Sequence, residues 1–430
     1  MKATNGWPNV RLGEHVELLT GFPFKSQRFT FDLNDTALVK GENVAQGRID
    51  WEISKRWPAA ELTQFEQYRL RSGDVVLAMD RPWIEAGLKY AWIKPHDQVA
   101  LLVQRVSRLR GCATLDQTFL RYVIGSPAFT NYIKPIVTGV NVPHISPQQI
   151  KDFRFRLPPV AIQRKAAAIL SAYDDLIENN TRRIQSLERM AQALYREWFV
   201  HYRFPGHAKV KLVASTLGQI PQGWGVTALK QITTKIGSGA TPRGGKESYQ
   251  SSGVSLIRSL NVYDYCFTDD NLAFINDAQA AQLDHVAVEA RDILLNITGA
   301  SVARCCISPS YRLPARVNQH VAIIRVNQTA SDPYFILDTI NSTRSKQKLL
   351  GLAQGGATRE ALTKETVGNF QVIQPPQPIF RRYSSVVGDY HQLREVLHRK
   401  NLNLRRTRDL LLPKLISGAL DVSKLENETT

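Results

Sequence analysis

Two loops of this chain carry side chains suited to reading a polyanion. The first, "FPFKSQRFTF", offers Lys25, Ser26, Gln27 and Arg28 among aromatic residues. The second, "GSGATPRGGKESY", offers Thr241, Arg243, Lys246 and Tyr249 on a glycine-rich stretch that can approach a backbone closely. Two further segments, "VKGENV" and "IRSLNV", hold corresponding places and present Lys40 and Asn43, then Arg258 and Asn261. Arginine pairs well with guanine edges, asparagine with adenine and lysine with phosphates, so these eleven residues (Gln27 aside) are the candidate DNA-binding set. The competing reading of each is an ordinary solvated loop residue. Paired placement supports the set as a whole, not each member.

Reaction centres do not emerge in the same way. "GATPRGGKES" resembles a P-loop, but Ala240 stands where a glycine is required and Glu247 where Ser or Thr would bind magnesium. "QPPQ" at 374–377 has neither the Asn nor the aromatic of an amino-methyltransferase loop. No His or Cys cluster has metal-ligand spacing, and His144 and His320 stand singly. The expectation is a chain that supplies reading surfaces and binds no catalytic group, cofactor or metal itself.

Charge agrees with a polyanionic partner. Of 430 residues, 55 are Lys or Arg and 38 Asp or Glu, giving 55 − 38 = +17. Nucleic acid leads among polyanions, because the basic residues are scattered with aromatics and polar groups over both halves. An anionic membrane surface fits less well, since the basic residues do not gather on one amphipathic helix. Cys112, Cys266, Cys305 and Cys306 show neither CxxC spacing nor a disulfide framework and read as reduced thiols. The start "MKATNGWPNV" lacks the apolar core of a signal peptide, and apolar runs such as "VALLV" are strand-length, so a soluble, cytoplasmic chain is expected.

The elements that must position these loops occur twice. Phe153 matches Phe370 (370 − 153 = 217), Pro158-Pro159 matches Pro375-Pro376 and Tyr173 matches Tyr390. The same offset relates Gly139/Gly356, Ile145/Leu362, Leu187/Leu404 and Leu194/Leu411. Short β-type runs fill residues 1–157 ("HVELLTGF", "ALVKGENV", "GDVVLAM", "KYAWIK", "VALLVQRV"), followed by one helix-like segment, "QTFLRYVIGSPAFTNYI". The second half repeats that order over 204–374, ending in "PYFILDTINSTRSKQKLLGLA".

Residues 158–203 and 375–416 differ in kind. Ile169, Tyr173, Leu176, Asn180, Leu187, Leu194 and Trp198 recur at steps of three, four and seven, as do Tyr390, Leu397, Asn401, Leu404 and Leu411. Each stripe marks a helix of about 40 residues, on the order of 60 Å long. Each Pro-Pro sits where a helix begins; Pro413 is expected to end or kink the second before the 417–430 tail. Asn180 stands opposite Leu397 in the repeat, and Asn401 opposite Ile184; polar seam residues commonly fix register and orientation. The expected fold is α+β: two α/β heads joined by two long antiparallel coiled-coil helices in a pseudo-two-fold internal repeat.

With the helices in view, the chain resembles the specificity subunits of type I restriction–modification systems. The string "LPPVAIQRKAAAILSAYDDLIENNTRRIQSLERMAQALYREWFV" is similar to that family's central conserved region, through Pro158-Pro159, Gln163, Ile169-Leu170, Asp174-Asp175, Ile177-Glu178, Asn180 and Trp198-Phe199. "LLPKLISGALDV" (residues 411–422) is similar to its C-terminal conserved region. The second helix departs from the pattern, with Arg381-Arg382 and no Ile-Glu-x-Asn string. The resemblance implies that the heads are target-recognition domains, each reading one half of a split double-stranded DNA sequence, with the helices as a ruler. It further implies two methyltransferase (modification) subunits docked on the helix seams, using S-adenosylmethionine to methylate adenine N6 on flipped-out bases. A restriction subunit would add translocation and cleavage with ATP and Mg2+. Two other classes remain open: a self-contained DNA-modifying enzyme with an unrecognised site, and a helical protein scaffold.

Overall fold

The structure, a computed structural model, describes residues 6–84, 87–136, 143–354 and 361–423. The Gly139/Gly356 match and the end of the tail lie outside the described residues. The chain divides into two compact units: unit 1 is Met1–Asn179 with Asn401–Thr430, and unit 2 is Asn180–Lys400.

The first sheet of each unit has the same strand order. In unit 1 an antiparallel sheet runs Tyr90–Trp92, Val75–Ala78, Val106–Gly111, Val16–Thr20. Its counterpart in unit 2 runs Cys305–Ile307, Ile293–Asn296, Val321–Val326, Thr233–Ser238. A second sheet in each unit is centred on a parallel pair: Thr36–Val39 with Ala100–Leu102, and Val254–Ile257 with Ala315–Val317. The period-2 alternation of strands assigns the faces. Val75 and Leu77 pack with Phe119 and Phe129 of the helical layer, whereas Val76 and Ala78 pack with Val39 and Leu102 of the second sheet. Unit 2 repeats this, with Ile293 and Leu295 beside Phe335 and Leu294 beside Val317. A central strand buried on both faces needs the near-continuous apolar runs "VVLA" and "ILLN".

The helix-like segment expected in each head is two helices. Unit 1 has Gln117–Ile124 and Pro127–Ile136, and unit 2 has Pro333–Asn341 and Thr343–Gln354. In unit 1 the break falls at Gly125, where a Cβ would lie 2.1 Å from the Tyr90 hydroxyl. Asp116 and Asp332 cap the first helix of each pair, their carboxylates accepting from the Thr118 and Phe119 amides and from those of Tyr334 and Phe335.

Long helices follow each Pro-Pro. The first spans Val160–Tyr195 and passes into a π turn, Arg196–Val200; the second spans Gln377–Ser417. Pro413, expected to end or kink the second helix, does not end it. It lies on an exposed face, where water can take the carbonyl that loses its amide partner, and Gly418 in a left-handed conformation (φ 74°) ends the helix instead.

Within unit 1 the segments of the two long helices run antiparallel. Asp174 accepts from Arg408 Nη1 at 2.7 Å and from Arg121 Nη2 at 2.9 Å, and buried Asn401 gives its amide to the Ile177 carbonyl at 3.3 Å. Leu170 and Ile177 are buried there, Ile169, Tyr173, Leu404 and Leu411 half-buried. Leu176 is 51% exposed and is no seam residue; Ile177, one position on, takes its place. Within unit 2, Trp198, Leu397 and Asn180 are buried, while Leu187, Leu194 and Tyr390 are half-buried. Arg394 faces Glu188 across that pair of segments at 3.5 Å.

Unit 2 also buries a carboxyl in its core. Asp338 is fully buried, and the Tyr383 hydroxyl donates to its Oδ2 at 2.5 Å. Burial pushes its pKa up from 3.8 to about 7, against the lowering effect of the Tyr383 hydrogen bond and the Arg394 charge. Between these two values the folded unit holds a proton that the unfolded chain releases, so this group's contribution to stability falls as pH rises toward 7. Asp338→Asn is expected to flatten the decline in Tm between pH 5 and pH 8, measured by thermal unfolding; an unchanged slope would contradict this account.

Candidate nucleic-acid interface

Four chain segments meet at one end of the strands in each unit. In unit 1 they are the loop after Thr20, the loop after Val39, the loop after Ala78 and the turn between Leu102 and Val106. The turn is tied to each of the others by backbone hydrogen bonds: Phe22 N–H to Leu102 O at 3.0 Å, Val103 N–H to Val39 O at 3.0 Å and Met79 N–H to Arg105 O at 2.8 Å. Unit 2 makes the same bonds: Ala240 N–H to Val317 O, Asn318 N–H to Ile257 O and Ile297 N–H to His320 O, all at 3.0 Å. Gly21 N–H to Val106 O (3.1 Å) and Gly239 N–H to Val321 O (3.0 Å) complete the pattern.

Such an approach leaves no room for a side chain at the crossing point. A Cβ at Gly21 would lie 2.3 Å from the Val103 carbonyl oxygen, and one at Gly239 would lie 1.9 Å from that of Val317. The glycines therefore seat the loops that hold most of the residues picked out above.

The first loop is anchored by Phe22, Phe24 and Phe29, which pack into a core cluster, whereas Phe31 is exposed. Phe24 is buried with its ring 4.8 Å from both Trp57 and Phe65. Between these anchors Lys25, Ser26 and Arg28 are exposed on a short 3-10 turn. Arg28 is ion-paired with Glu61, and its guanidinium lies 4.7 Å over the Trp57 ring. Lys40 is half-buried and 3.2 Å from Glu42. A phosphate must compete with these carboxylates.

In unit 2, Thr241, Arg243 and Lys246 are exposed. The Thr241 hydroxyl donates to Gln319 Oε1, and the Arg243 carbonyl accepts from Gln279 at 3.4 Å. The structure brings Tyr249 and Arg258 together, the guanidinium 5.2 Å over the ring, while Arg258 also donates to the Asn271 carbonyl.

Asn43 and Asn261 must be withdrawn from the reading set. They are 1% and 0% exposed. Asn43 Oδ1 accepts from the Lys40 amide at 2.8 Å, and its Nδ2 donates to the Leu38 carbonyl at 3.0 Å. Asn261 Oδ1 accepts from the Arg258 amide at 3.1 Å, and its Nδ2 donates to the Thr268 and Asp270 carbonyls. Both are staples of the same turn after the same strand. Conversely, the turn residues Gln104, Arg105 and Gln319 escaped sequence reading, and His320 was noted only as a lone histidine. The one available signal was "VQRV" against "NQHV", whose shared Gln is offset by 215 (319 − 104), not 217, because the loops before it differ in length.

Among the described residues no group of three or more His, Cys, Asp or Glu could hold a metal ion. Among them also, no helix is long and apolar enough to cross a membrane. Cys305 and Cys306 are buried, and burial raises both thiols.

Residues 6–189 match the family model described as the type I restriction modification DNA specificity domain. A type I restriction enzyme specificity subunit (MjaIX) of Methanocaldococcus jannaschii is 27% identical over 310 residues, covering 71% of this chain and 70% of that protein. The chain is thus similar to type I specificity subunits, and the matched domain lies in its first half. The EcoAI specificity subunit of Escherichia coli is 37% identical over 174 residues, which are 40% of this chain and 28% of that longer relative. The S subunit of a type I restriction–modification system from M. genitalium shares the fold, with a TM-score of 0.63 over 97% of this chain and 98% of that one at 14% identity. The internal repeat, the mixed heads and the long helices are thus features of a specificity-subunit fold.

The corrected asparagines give a prediction. Asn43→Ala and Asn261→Ala each strand buried backbone groups and are expected to cost about 1–3 kcal/mol of stability. Thermal unfolding measures the loss. Base preference in a binding selection is expected to stay as in the wild type.

Proposed function

We propose that this chain is the DNA-reading subunit of a type I restriction–modification complex, and that the four-segment junction of each unit contacts one half of a split target. One observation carries the reading: an identical backbone junction is built twice and furnished with different side chains. A single-sequence reader has no use for two unlike sites on one scaffold, whereas an asymmetric bipartite target needs them. The net charge of +17 supplies the non-specific attraction to the phosphate backbone.

The remaining roles are those that the likeness to type I specificity subunits suggests. The chain is the non-catalytic component. Modification subunits would dock on the long helices, bring S-adenosylmethionine and methylate adenine N6 in each half-site. Restriction subunits would use ATP and Mg2+ for translocation and cleavage of foreign DNA in the cytoplasm. The helices would set the spacer between half-sites.

Exchanging residues 1–157 for another recognition domain is expected to change one half of the sequence enriched from random duplexes and leave the other half intact. Change in both halves, or in neither, would refute the two-reader arrangement. The ruler has its own test. A matched seven-residue insertion in both long helices preserves their seam and adds about 10 Å at 1.5 Å per residue. The enriched spacer should lengthen by about three base pairs at ~3.4 Å each. An unchanged spacer would remove the helices from that role.

A further inference from the structure

Resting on that reading, we infer that Arg105 in the unit 1 turn reads the major-groove edge of a guanine in its half-site, with Asp80 as the positioning residue that aims it. Arg105 sits at the tip of the turn that holds the junction together. It adopts a left-handed conformation (φ 66°) that is strained for a non-glycine residue. Its side chain is 64% exposed, unusual freedom for a group at the meeting point of four segments.

The guanidinium is held on one side only. Arg105 Nη1 donates to Asp80 Oδ2 at 2.5 Å, and Asp80 Oδ1 lies 2.7 Å from His144 Nδ1. Partial burial alone would raise the Asp80 carboxyl, but hydrogen bonds from His144 and Arg105 bring it below its usual range, so it stays ionised. Among the described residues no hydrogen bond engages Nε and Nη2 of Arg105. Those two donors form the fork that matches guanine O6 and N7.

An Arg–Asp–His chain of this kind could equally be a brace for the fold. Unit 2 shows that the backbone junction does not require these three residues. Its junction has the same backbone hydrogen bonds, including Leu362 N–H to Ile297 O at 2.8 Å where unit 1 has Ile145 N–H to Met79 O at 2.9 Å. Yet the three positions there carry His320, Thr298 and Ala361, the bridges Asp80↔His144 and Thr298↔Ala361 fixing the equivalence. His320 Nδ1 lies 2.7 Å from Thr298 Oγ1, and Gln319 Nε2 lies 3.2 Å from His320 Nε2. The junction therefore forms without the arginine, the carboxylate or His144. What the unit 1 triplet adds is an aimed cation, and all three members change together between the units.

The test is a selection from random duplex DNA with the full chain at one fixed salt concentration, alongside salt titrations on the enriched sequence. Wild type should enrich a split sequence with an invariant guanine in one half. Arg105→Ala should reduce the preference for guanine at that position about tenfold or more, with the other half unchanged as an internal control of folding. Arg105→Lys should lose most of the same preference, because it keeps the charge but not the fork. Asp80→Asn should relax that position alone and to a smaller extent. Unchanged base preference in Arg105→Ala overturns the inference, as does equal weakening on all sequences with a shallower salt slope, the mark of a phosphate contact. Wild-type chain that enriches no sequence overturns the underlying reading as well.

Discussion

Everything at the candidate interface depends on two places where one backbone passes almost through the space a side chain would occupy. At Gly21 and Gly239 the neighbouring carbonyl lies closer than any Cβ tolerates. That contact lets a single turn bond to three other segments at once. Main-chain atoms make all of these bonds, so the geometry is independent of what the segments carry. A scaffold specified by backbone hydrogen bonds and one absent side chain can change its exposed residues without refolding. The two units already demonstrate this, with an arginine and a carboxylate in one and a histidine and a threonine in the other.

The long helices are organised by a different balance. Their buried positions are mostly small or aliphatic, with a few charged groups among them. Asp174 in unit 1 gathers Arg121, Arg408 and the Tyr122 hydroxyl, so its oxygens are well satisfied at 2.7–2.9 Å. Glu188 and Arg394 in unit 2 make a looser pair at 3.5 Å. Half-buried ion pairs add little net stability, because desolvation offsets much of the attraction. Their effect is on alignment: a slip of the helices would strand a charge against aliphatic neighbours.

Much of this was legible in the amino-acid order. The prolines placed the helix starts, the 217-residue offset announced the repeat, and the β-type runs fell on strands. The failures have physical causes. Asn43 and Asn261 looked like base readers because polarity is visible in a sequence and burial is not. Leu176 was assigned to the seam in place of Ile177 because adjacent apolar residues leave the phase of a 3.6-residue period uncertain. Pro413 was read as an end or a kink, and the helix continues past it because its lost hydrogen bond falls on a solvated face. Arg105, Asp80 and His144 are 25 and 39 residues apart in sequence (105 − 80 and 144 − 105), so nothing local links them. Only the folded turn makes them a group.

The composition of unit 1 has a consequence for how the protein is made. Its first 179 residues leave the ribosome long before residues 401–430, which complete it. Until then Leu170 on the first long helix, and the cluster around Phe119 and Phe129, lack the covering Leu415 and Ile416. Unit 2 is contiguous and can close during that interval. Synthesis thus finishes the second-made body first and the first-made body last, and a chain cut short near residue 400 would carry a permanently uncovered apolar strip.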